Sequence, residues 1–274
     1  MSKVGVIGVG AMGGALTSVI CDSVAPKEVA VFDVSAERAA QMADKTGCTV
    51  AASAEDVVKD AEIILLAVKP QVVDPVMAGL LPVMKANADA GKKQILLSIA
   101  AGWTIEQLDK MLADAGLPDM PAIRAMPNIP VRVKQGVILF TGDHNADKAT
   151  MESVMTLFQS GGMCVECEEE LMVTSCAVFS CSPAMVYMFI ESIADAGVQI
   201  GMERGQATRF AAQAVMGSAA MVLDGSKHIG QLKEELDTPG GMTIGGTNLM
   251  EQMGFRGSVI AGVIRAHERQ FGLN

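Results

Sequence analysis

The stretch VGVIGVGAMG, residues 4–13, decides the fold of this chain. Its first four residues form an apolar run typical of a buried strand, and the pattern G-x-G-x-x-G follows at once. In a dinucleotide-binding loop, Gly8 permits the tight turn, Gly10 lets the backbone approach a pyrophosphate, and Gly13 lets the next helix pack on the strand. The N–H groups at the start of that helix then face the phosphates. The stretch predicts a cofactor site formed by Gly8, Gly10, Ala11, Met12 and Gly13.

An acidic residue follows at the spacing that such a loop requires. Asp33 lies 20 residues after Gly13, at the end of a second apolar run, where a carboxylate hydrogen-bonds the ribose 2′-OH of NAD. Ser35 and Arg38 are close enough to contact a phosphate, whereas Val34 stands where an arginine would indicate NADP. We therefore expect NAD(P)H as the cofactor, with NADH slightly favoured, and place Asp33 and Ser35 in its site.

Residues 1 to about 125 alternate short aliphatic runs with amphipathic stretches. The predicted strands are Lys3–Gly8, Glu28–Asp33, Glu62–Ala67, Gln94–Ser98 and Pro121–Ala125. The predicted helices are Ala11–Cys21, Ser35–Thr46 and Thr104–Ala115, the last with a capping box of Thr104 and Gln107. This alternation indicates parallel strands joined by crossover helices, so the fold class is α/β with a Rossmann-like doubly wound sheet.

The pattern changes after Pro127 and Pro130. Two short strands are predicted at Gly136–Phe140 and Met163–Cys167, and helical periodicity follows. The predicted helices of this part are 183–201, 204–224, 227–235, 243–252 and 256–270. We therefore expect two domains, a dinucleotide-binding domain of residues 1–160 and an all-α domain of residues 161–274.

Composition argues against several classes of protein. Half of the 274 residues are hydrophobic, and 31 acidic residues against 21 basic ones give a net charge of −10. That balance argues against nucleic acid or an anionic membrane as a partner. The six cysteines do not form a secreted disulfide framework, and no signal sequence precedes the first strand, so we expect a reduced, cytoplasmic protein.

One segment has the length of a membrane span. Leu171–Ile190 carries no charged residue over 20 positions. It contains several hydroxyl side chains and Pro183, and Glu191 follows at once. We expect a buried helix of a soluble protein rather than a span.

Three segments end predicted strands: AVKPQ at 67–71, SIAAG at 98–102 and MPNIP at 126–130. The carboxyl ends of the strands in a doubly wound sheet form the crevice that binds ligands. Each segment alone is more typical of a turn than of a site. Lys69 fits a solvated loop charge as well as a cofactor contact, and the prolines on either side of Asn128 make its backbone rigid.

A second candidate site, TPGGMTI at 238–244, lies in the helical part. Pro239 can end the preceding helix, Gly240 and Gly241 expose backbone N–H groups, and a new helix begins at about Thr243. A glycine-rich helix N-terminus binds anions, here a carboxylate. The alternative is that Thr243 only caps the helix and that the glycines form a linker.

Taken together, these motifs resemble those of the pyrroline-5-carboxylate reductase family, and the resemblance runs nearly end to end, including FIESIADAGV at 189–198. It implies reduction of (S)-1-pyrroline-5-carboxylate to L-proline by hydride transfer from NAD(P)H to the cyclic imine. It also implies a homodimer with interlocked helical domains, whose core would contain segment 171–190, and it leaves larger assemblies of dimers open.

The resemblance also implies roles for the motif residues. Thr243 is expected to hydrogen-bond the ring nitrogen of the substrate. The expected substrate-binding residues are Thr238, Gly240, Gly241, Met242 and Asn128, and the strand ends add these cofactor contacts: Ala67, Val68, Lys69, Pro70, Ala100 and Asn128. No metal and no general base is required, and His228 is expected to be a surface or capping group.

The chain departs from the family in one segment. Where the family usually has Ser-Gly-Ser-Gly-Pro-Ala-Tyr, this chain has Phe-Ser-Cys-Ser-Pro-Ala-Met at 179–185. Backbone that needs a positive φ would be strained without the glycines, so the segment is either rearranged or never needed them. Two alternatives stay open: reduction of a related cyclic imino acid, and a non-catalytic dinucleotide-binding sensor.

Cys164 and Cys167 have the CxxC spacing of redox and metal sites. The resemblance places them in an edge strand, where the two side chains point to opposite faces. We therefore expect neither a disulfide nor a metal site at this motif.

Overall fold

An eight-stranded sheet organises the first part of the chain in the computed structural model, which describes residues 3–270. The strands are β1 (Val4–Ile7), β2 (Val29–Phe32), β3 (Thr49–Val50), β4 (Ile63–Leu66), β5 (Ile95–Ser98), β6 (Ala122–Pro127), β7 (Gly136–Gly142) and β8 (Gly162–Glu166). Their order is β3-β2-β1-β4-β5-β6-β7-β8, and each neighbouring pair is parallel except β6 and β7. The predicted doubly wound class is confirmed, and its topological switch point lies between β1 and β4.

Helices join these strands. They are α1 (Ala11–Ser23), α2 (Ala36–Thr46), α3 (Ala54–Asp60), α4 (Val73–Asp89), α5 (Ile105–Asp114), α6 (Lys148–Thr156) and α7 (Glu169–Cys176). The predicted capping box of α5 is confirmed, with the Thr104 hydroxyl accepting from the Gln107 N–H. Gly47 ends α2 in the left-handed conformation that glycine adopts at little cost.

The sheet is buried on both faces. Leu65 and Leu66 of β4 are fully buried, and they point to opposite faces. Leu65 packs in one core with Leu16 of α1, whereas Leu66 packs in the other with Met77 of α4. Parallel strands buried on both sides form continuous apolar runs, which is why the sequence pattern predicts them.

The chain divides into two compact units between Ser175 and Cys176, later than the predicted boundary at 160/161. The first unit includes β8 because all five of its residues pair with β7. It also includes Glu169, whose carboxylate lies 2.6 Å from the Arg124 guanidinium of β6. The first unit therefore continues past its last strand, β8, to Ser175.

The second unit is helical. After a single π-helical turn, Ala177–Cys181, its helices are α8 (Ser182–Gln199), α9 (Arg204–Leu223), α10 (Ile229–Glu234), α11 (Met242–Gln252) and α12 (Phe255–Gln270). Phe189 of α8 packs on Phe255 with ring centroids 5.8 Å apart. Among the described residues of this unit, the buried cluster between helices is small and consists of Ala194, Ala207 and Ala211.

The segment without charges forms part of one continuous helix, residues 169–199, which by length and composition could cross a membrane. Within the single chain the expected burial of this helix is not reached, since Tyr187 is 59% and Met188 67% exposed. The small alanine cluster packs against one side of α8, and most of the large apolar side chains of α8 remain partly exposed in the single chain.

The altered segment 179–185 lies in the π turn and the first turn of α8. None of these residues has a positive φ. In this chain the segment is helical backbone that needs no glycine. This agrees with both possibilities left by the sequence, a rearranged segment and one that never needed glycine.

Candidate functional site

The glycine loop between β1 and α1 is packed too closely for side chains. A Cβ on Gly13 would lie 2.0 Å from the Gly8 carbonyl oxygen. Gly8 has a φ of +96°, and a Cβ there would lie 2.5 Å from the Ala67 carbonyl oxygen. By contrast, a Cβ on Gly10 would meet no described atom within 4 Å. The loop is therefore closed on the strand side and open on the side where a pyrophosphate would lie.

The start of α1 has the features of an anion site. Gly10 is its N-cap and provides no side-chain hydrogen bond, and Ala11 and Met12 form its first turn. The first N–H groups of a helix have no partner within the helix. Together with the helix dipole they fit a pyrophosphate, so the predicted residues of this loop suit the expected cofactor.

Asp33 follows β2 and is held by three donors. Its Oδ2 accepts from the Val9 N–H of the glycine loop at 2.9 Å. Its Oδ1 accepts from the Ser35 N–H at 2.8 Å and from the Arg38 guanidinium at 2.8 Å. The Asp33 side chain is 5% exposed and that of Arg38 52%. The predicted acid thus lies against the predicted loop, as a cofactor ribose would require.

The environment of Asp33 sets its charge. Burial alone would raise the pKa of its carboxyl group, but hydrogen bonds from Arg38, Ser35 and Val9 more than offset burial and hold the pKa below its ordinary value. Asp33 is therefore ionised at neutral pH.

The segment after β4 lies beside the glycine loop, and a hydrogen bond joins it to the segment after β5. Val68 lies 3.4 Å from the Cβ position of Gly8. The Trp103 indole N–H donates to the Pro70 carbonyl oxygen at 3.3 Å, which joins the segment after β4 to the segment after β5. In the latter, the Ala100 N–H donates to the Ser98 hydroxyl at 3.2 Å. Lys69 is exposed.

Asn128 is buried at the end of β6. Its Oδ1 accepts from the Val137 N–H at 2.9 Å, and its own N–H donates to the Val137 carbonyl at 3.2 Å. Pairing with β7 fixes this residue, in addition to the flanking prolines.

The second candidate site lies in the second unit and forms its own cluster. Thr238–Gly241 is a turn in which the Gly241 N–H donates to the Thr238 carbonyl at 2.9 Å. Pro239 and Gly240, with φ +69°, occupy the two central positions as a type II turn requires. Gly241 is the N-cap of α11, without a side-chain hydrogen bond.

Thr243 is exposed in the first turn of α11. The alternative in which Thr243 only caps this helix is wrong, because Gly241 holds the cap position. The helix begins at Met242, which is 96% exposed. Free N–H groups and a hydroxyl are therefore presented together at one helix end.

The anchor of this turn was missed in the sequence. Asp237 accepts from the Thr247 hydroxyl of α11 at 3.1 Å and from the Lys233 ammonium at 2.7 Å. These contacts join the two ends of the turn. An acid directly before a Thr-Pro-Gly-Gly turn was the only available signal. The expectation for His228 is confirmed, since it caps α10 and is exposed.

Two groups among the described residues have the chemistry of a redox or metal site, namely the CxxC cysteines and a cluster of two acids and a histidine. Burial raises the pKa of Cys164 to about 11, which disfavours a thiolate. Asp109, Asp143 and His144 place potential ligand atoms within 4.8 Å of one another. The Asp143 Oδ1 already accepts from the Asn145 and Ala146 N–H groups, and we assign no metal to the group.

Comparison with known proteins identifies both halves. A family model described as pyrroline-5-carboxylate reductase dimerisation matches residues 169–273, and one described as NADP oxidoreductase, coenzyme F420-dependent, matches residues 3–102. The chain is 37% identical over 269 residues to the pyrroline-5-carboxylate reductase of Escherichia coli, covering 97% of this chain and 96% of that protein. It is 36% identical over 233 residues to pyrroline-5-carboxylate reductase 2 of Rattus norvegicus, covering 82% and 70%.

Solved structures agree. Pyrroline carboxylate reductase of Plasmodium falciparum with NADP bound has a TM-score of 0.83 at 28% identity, covering 99% of this chain and 98% of that one. The reductase of Coxiella burnetii has a TM-score of 0.87 at 23% identity, covering 100% and 98%, and supports the fold.

The hydrogen bonds of Asp33 predict a pH-dependent contribution to stability. Its folded-state pKa is lowered, so the contribution is full above the unfolded pKa of about 3.9 and is lost as pH falls through the folded value. We expect Asp33→Asn to lower the free energy of unfolding by about 1.5–3 kcal/mol at pH 7. Urea unfolding should show this difference shrinking below about pH 4.

The exposed Asp119 provides the control, and Asp119→Asn should change stability by less than about 0.5 kcal/mol. A difference for Asp33→Asn that is the same at pH 3 and pH 7 would contradict this account.

Proposed function

The chain belongs to the pyrroline-5-carboxylate reductase family, and we propose that it reduces (S)-1-pyrroline-5-carboxylate to L-proline with NAD(P)H, the last step of proline synthesis. The observation that carries the proposal is the relatedness over 97% of the chain combined with an open glycine loop and an uncapped helix N-terminus. One binds a dinucleotide and the other an anion.

The cofactor is held by the first unit in this proposal. The loop Gly8–Gly13 and the first turn of α1 bind the pyrophosphate, while Asp33 accepts from the ribose 2′-OH. Ala67, Val68, Lys69, Pro70, Ala100 and Asn128 line the crevice at the strand ends. When bound, the reduced nicotinamide supplies the hydride.

A slight preference for NADH follows from the carboxylate. Each carboxylate oxygen has two lone pairs, and the Asp33 Oδ2 accepts one hydrogen bond, from Val9, so it can accept a second from a 2′-OH. A 2′-phosphate would meet the negative charge of Asp33. Because Arg38 is half exposed, its guanidinium can turn to that phosphate, and NADPH is used as well.

The substrate is held by α11. The substrate carboxylate binds the free N–H groups of the first turn, at Met242 and Thr243. Thr238, Gly240 and Gly241 shape the turn, and the Gly241 N–H closes it by donating to the Thr238 carbonyl. An iminium accepts hydride more readily than a neutral imine does, so the protein has to bind the ring with its nitrogen protonated. Thr243 Oγ1 hydrogen-bonds that nitrogen and orients it, and catalysis is mainly positioning and electrostatics.

A homodimer through the second unit accompanies this function. Large apolar side chains of this unit are exposed in the single chain: Tyr187, Met188, Phe210, Met216, Leu223 and Ile260. Large apolar side chains exposed in this number indicate an interface. The match of residues 169–273 to a dimerisation family supports a second copy as the partner. We also propose a cytoplasmic location, because all six cysteines are free, as a reducing compartment would leave them.

Thr243 gives the direct test of the activity. Thr243→Ala should lower kcat for the five-membered imine by about ten- to hundredfold, because the ring nitrogen loses its orienting hydrogen bond. The unfolding temperature should not change, since the side chain is exposed. NADH and NADPH oxidation is followed at saturating cofactor, with the exposed Thr156→Ala as control.

The same assay separates the alternatives. Turnover of a six-membered imino acid in place of the five-membered one would assign the chain to a related cyclic imine. No turnover of either, with cofactor binding intact, would indicate a sensor. Full activity of Thr243→Ala would remove Thr243 from the mechanism.

The cofactor proposal predicts a change in preference. Asp33→Ser should raise the ratio of kcat/KM for NADPH to that for NADH by about tenfold, since it removes one hydrogen-bond acceptor and one repulsive charge. Arg38→Gln should lower the ratio. Steady-state kinetics with both cofactors measure it, and an unchanged ratio in Asp33→Ser would remove Asp33 from the 2′-position.

The dimer proposal predicts that a charge on the apolar face separates the copies. Met188→Glu should convert a species of twice the chain mass into one of a single chain mass, measured by light scattering after gel filtration. Val50→Glu, on the exposed edge strand β3, should stay dimeric. A wild-type monomer would contradict the proposal, as would a protein that is recovered only in detergent.

A further inference from the structure

Arg124 is a buried cation in the middle of the sheet. It lies on β6, opposite Ser98 of β5 in the strand register, and is 4% exposed. Its Nη1 donates to the Glu169 carboxylate at 2.6 Å. A buried guanidinium without a partner is strongly unfavourable, so Glu169 has to stay in place as long as Arg124 does.

The same carboxylate oxygen has a second partner. Glu169 Oε1 also accepts from the Ile105 N–H at 2.9 Å, one of the free N–H groups at the start of α5. A negative charge at this helix end is favourable. One oxygen atom thus joins β6, α5 and α7, which are distant in sequence.

Between β5 and α5 lies the segment 99–104, which we call the cofactor loop because Ala100 is proposed to contact the cofactor. The residues that flank this loop are Ser98, the last residue of β5, and Ile105, the first residue of α5. Within it, the Trp103 indole donates to Pro70, part of the neighbouring cofactor-contacting segment. The position of the Ile105 N–H therefore decides where this loop and the segment after β4 lie.

We propose that Glu169, held by Arg124, is a positioning residue for the cofactor loop. It does not touch the reacting atoms but fixes the loop at the carboxyl edge of β5 through the Ile105 N–H. The inference rests on the proposed reductase function only for the contact of Ala100 with the cofactor. The pair itself is a property of the first unit.

The experiment compares cofactor binding and kinetics. Glu169→Ala should raise the Kd for NADH, measured by calorimetry, and the KM for NADH by about tenfold each and lower kcat by a similar factor, because the loop is displaced. Glu169→Gln keeps an oxygen that can accept from both donors, so its Kd and KM should stay within about twofold of the wild-type values.

A matched control separates positioning from stability. The buried Asn87 lies at the opposite edge of the sheet, where its side-chain NH₂ donates to the Val58 carbonyl and to Gln94, each at 3.1 Å. Asn87→Ala should lower the unfolding temperature without changing Kd, KM or kcat. If Glu169→Ala behaves in the same way, the pair is only structural and the proposal is overturned.

Two further measurements keep the test decisive. If Glu169→Ala does not fold, the double variant Arg124→Met, Glu169→Met removes the buried charges together and should fold, and its Kd should still be raised because Ile105 has no acceptor. A wild-type Kd in that variant would overturn the proposal. A wild-type protein that binds NADH but reduces no imine would refute the proposed function. The Kd values for NADH would still show whether Glu169, paired with Arg124, positions the cofactor loop.

Discussion

The close approach of the backbone at the glycine loop is the constraint on which the rest of the first unit depends. No Cβ fits between Gly13 and Gly8, or between Gly8 and Ala67. Because α1 can only leave β1 at this distance, its N-terminus faces the crevice at the switch point. The Val9 N–H is then placed to donate to Asp33, so the acid and the anion site come into register.

The two units meet the demands of a hydrophobic composition differently. The first covers both faces of its sheet and buries large side chains such as Phe140, Leu65 and Met77 completely. The second buries mainly three alanines and exposes its larger apolar residues. The many methionines suit such a surface, since an unbranched side chain adapts to a neighbouring helix. In the proposed homodimer, a second copy of the chain buries the apolar side chains that the single chain leaves exposed to water.

Local patterns predicted most elements of the fold, and contacts between distant residues account for what they missed. The buried strands and the glycine loop have clear periodicity or spacing. The two residues of β3 are both exposed, so they show none, and α4 contains Pro82, which normally ends a helix. The place of Glu169 in the first unit depends on its pairing with Arg124, 45 residues away, which no local pattern encodes. The residues of the glycine loop were predictable because the spacing of the glycines along the chain determines which backbone atoms approach one another.

The preference for NADH over NADPH that we propose is slight, and the reason is the ion pair of Asp33 and Arg38. The pKa of Asp33 is lowered, so a full negative charge lies where a ribose would bind. The Arg38 guanidinium is in contact with that charge and compensates much of it at short range. A 2′-phosphate arriving there would meet an ion pair rather than a bare carboxylate, and it could recruit Arg38, whose side chain is half exposed, only by weakening its contact with the buried Asp33. In the proposed preference for NADH, discrimination against NADPH therefore depends on the difference between two contacts of the same arginine, and we expect it to be small for that reason.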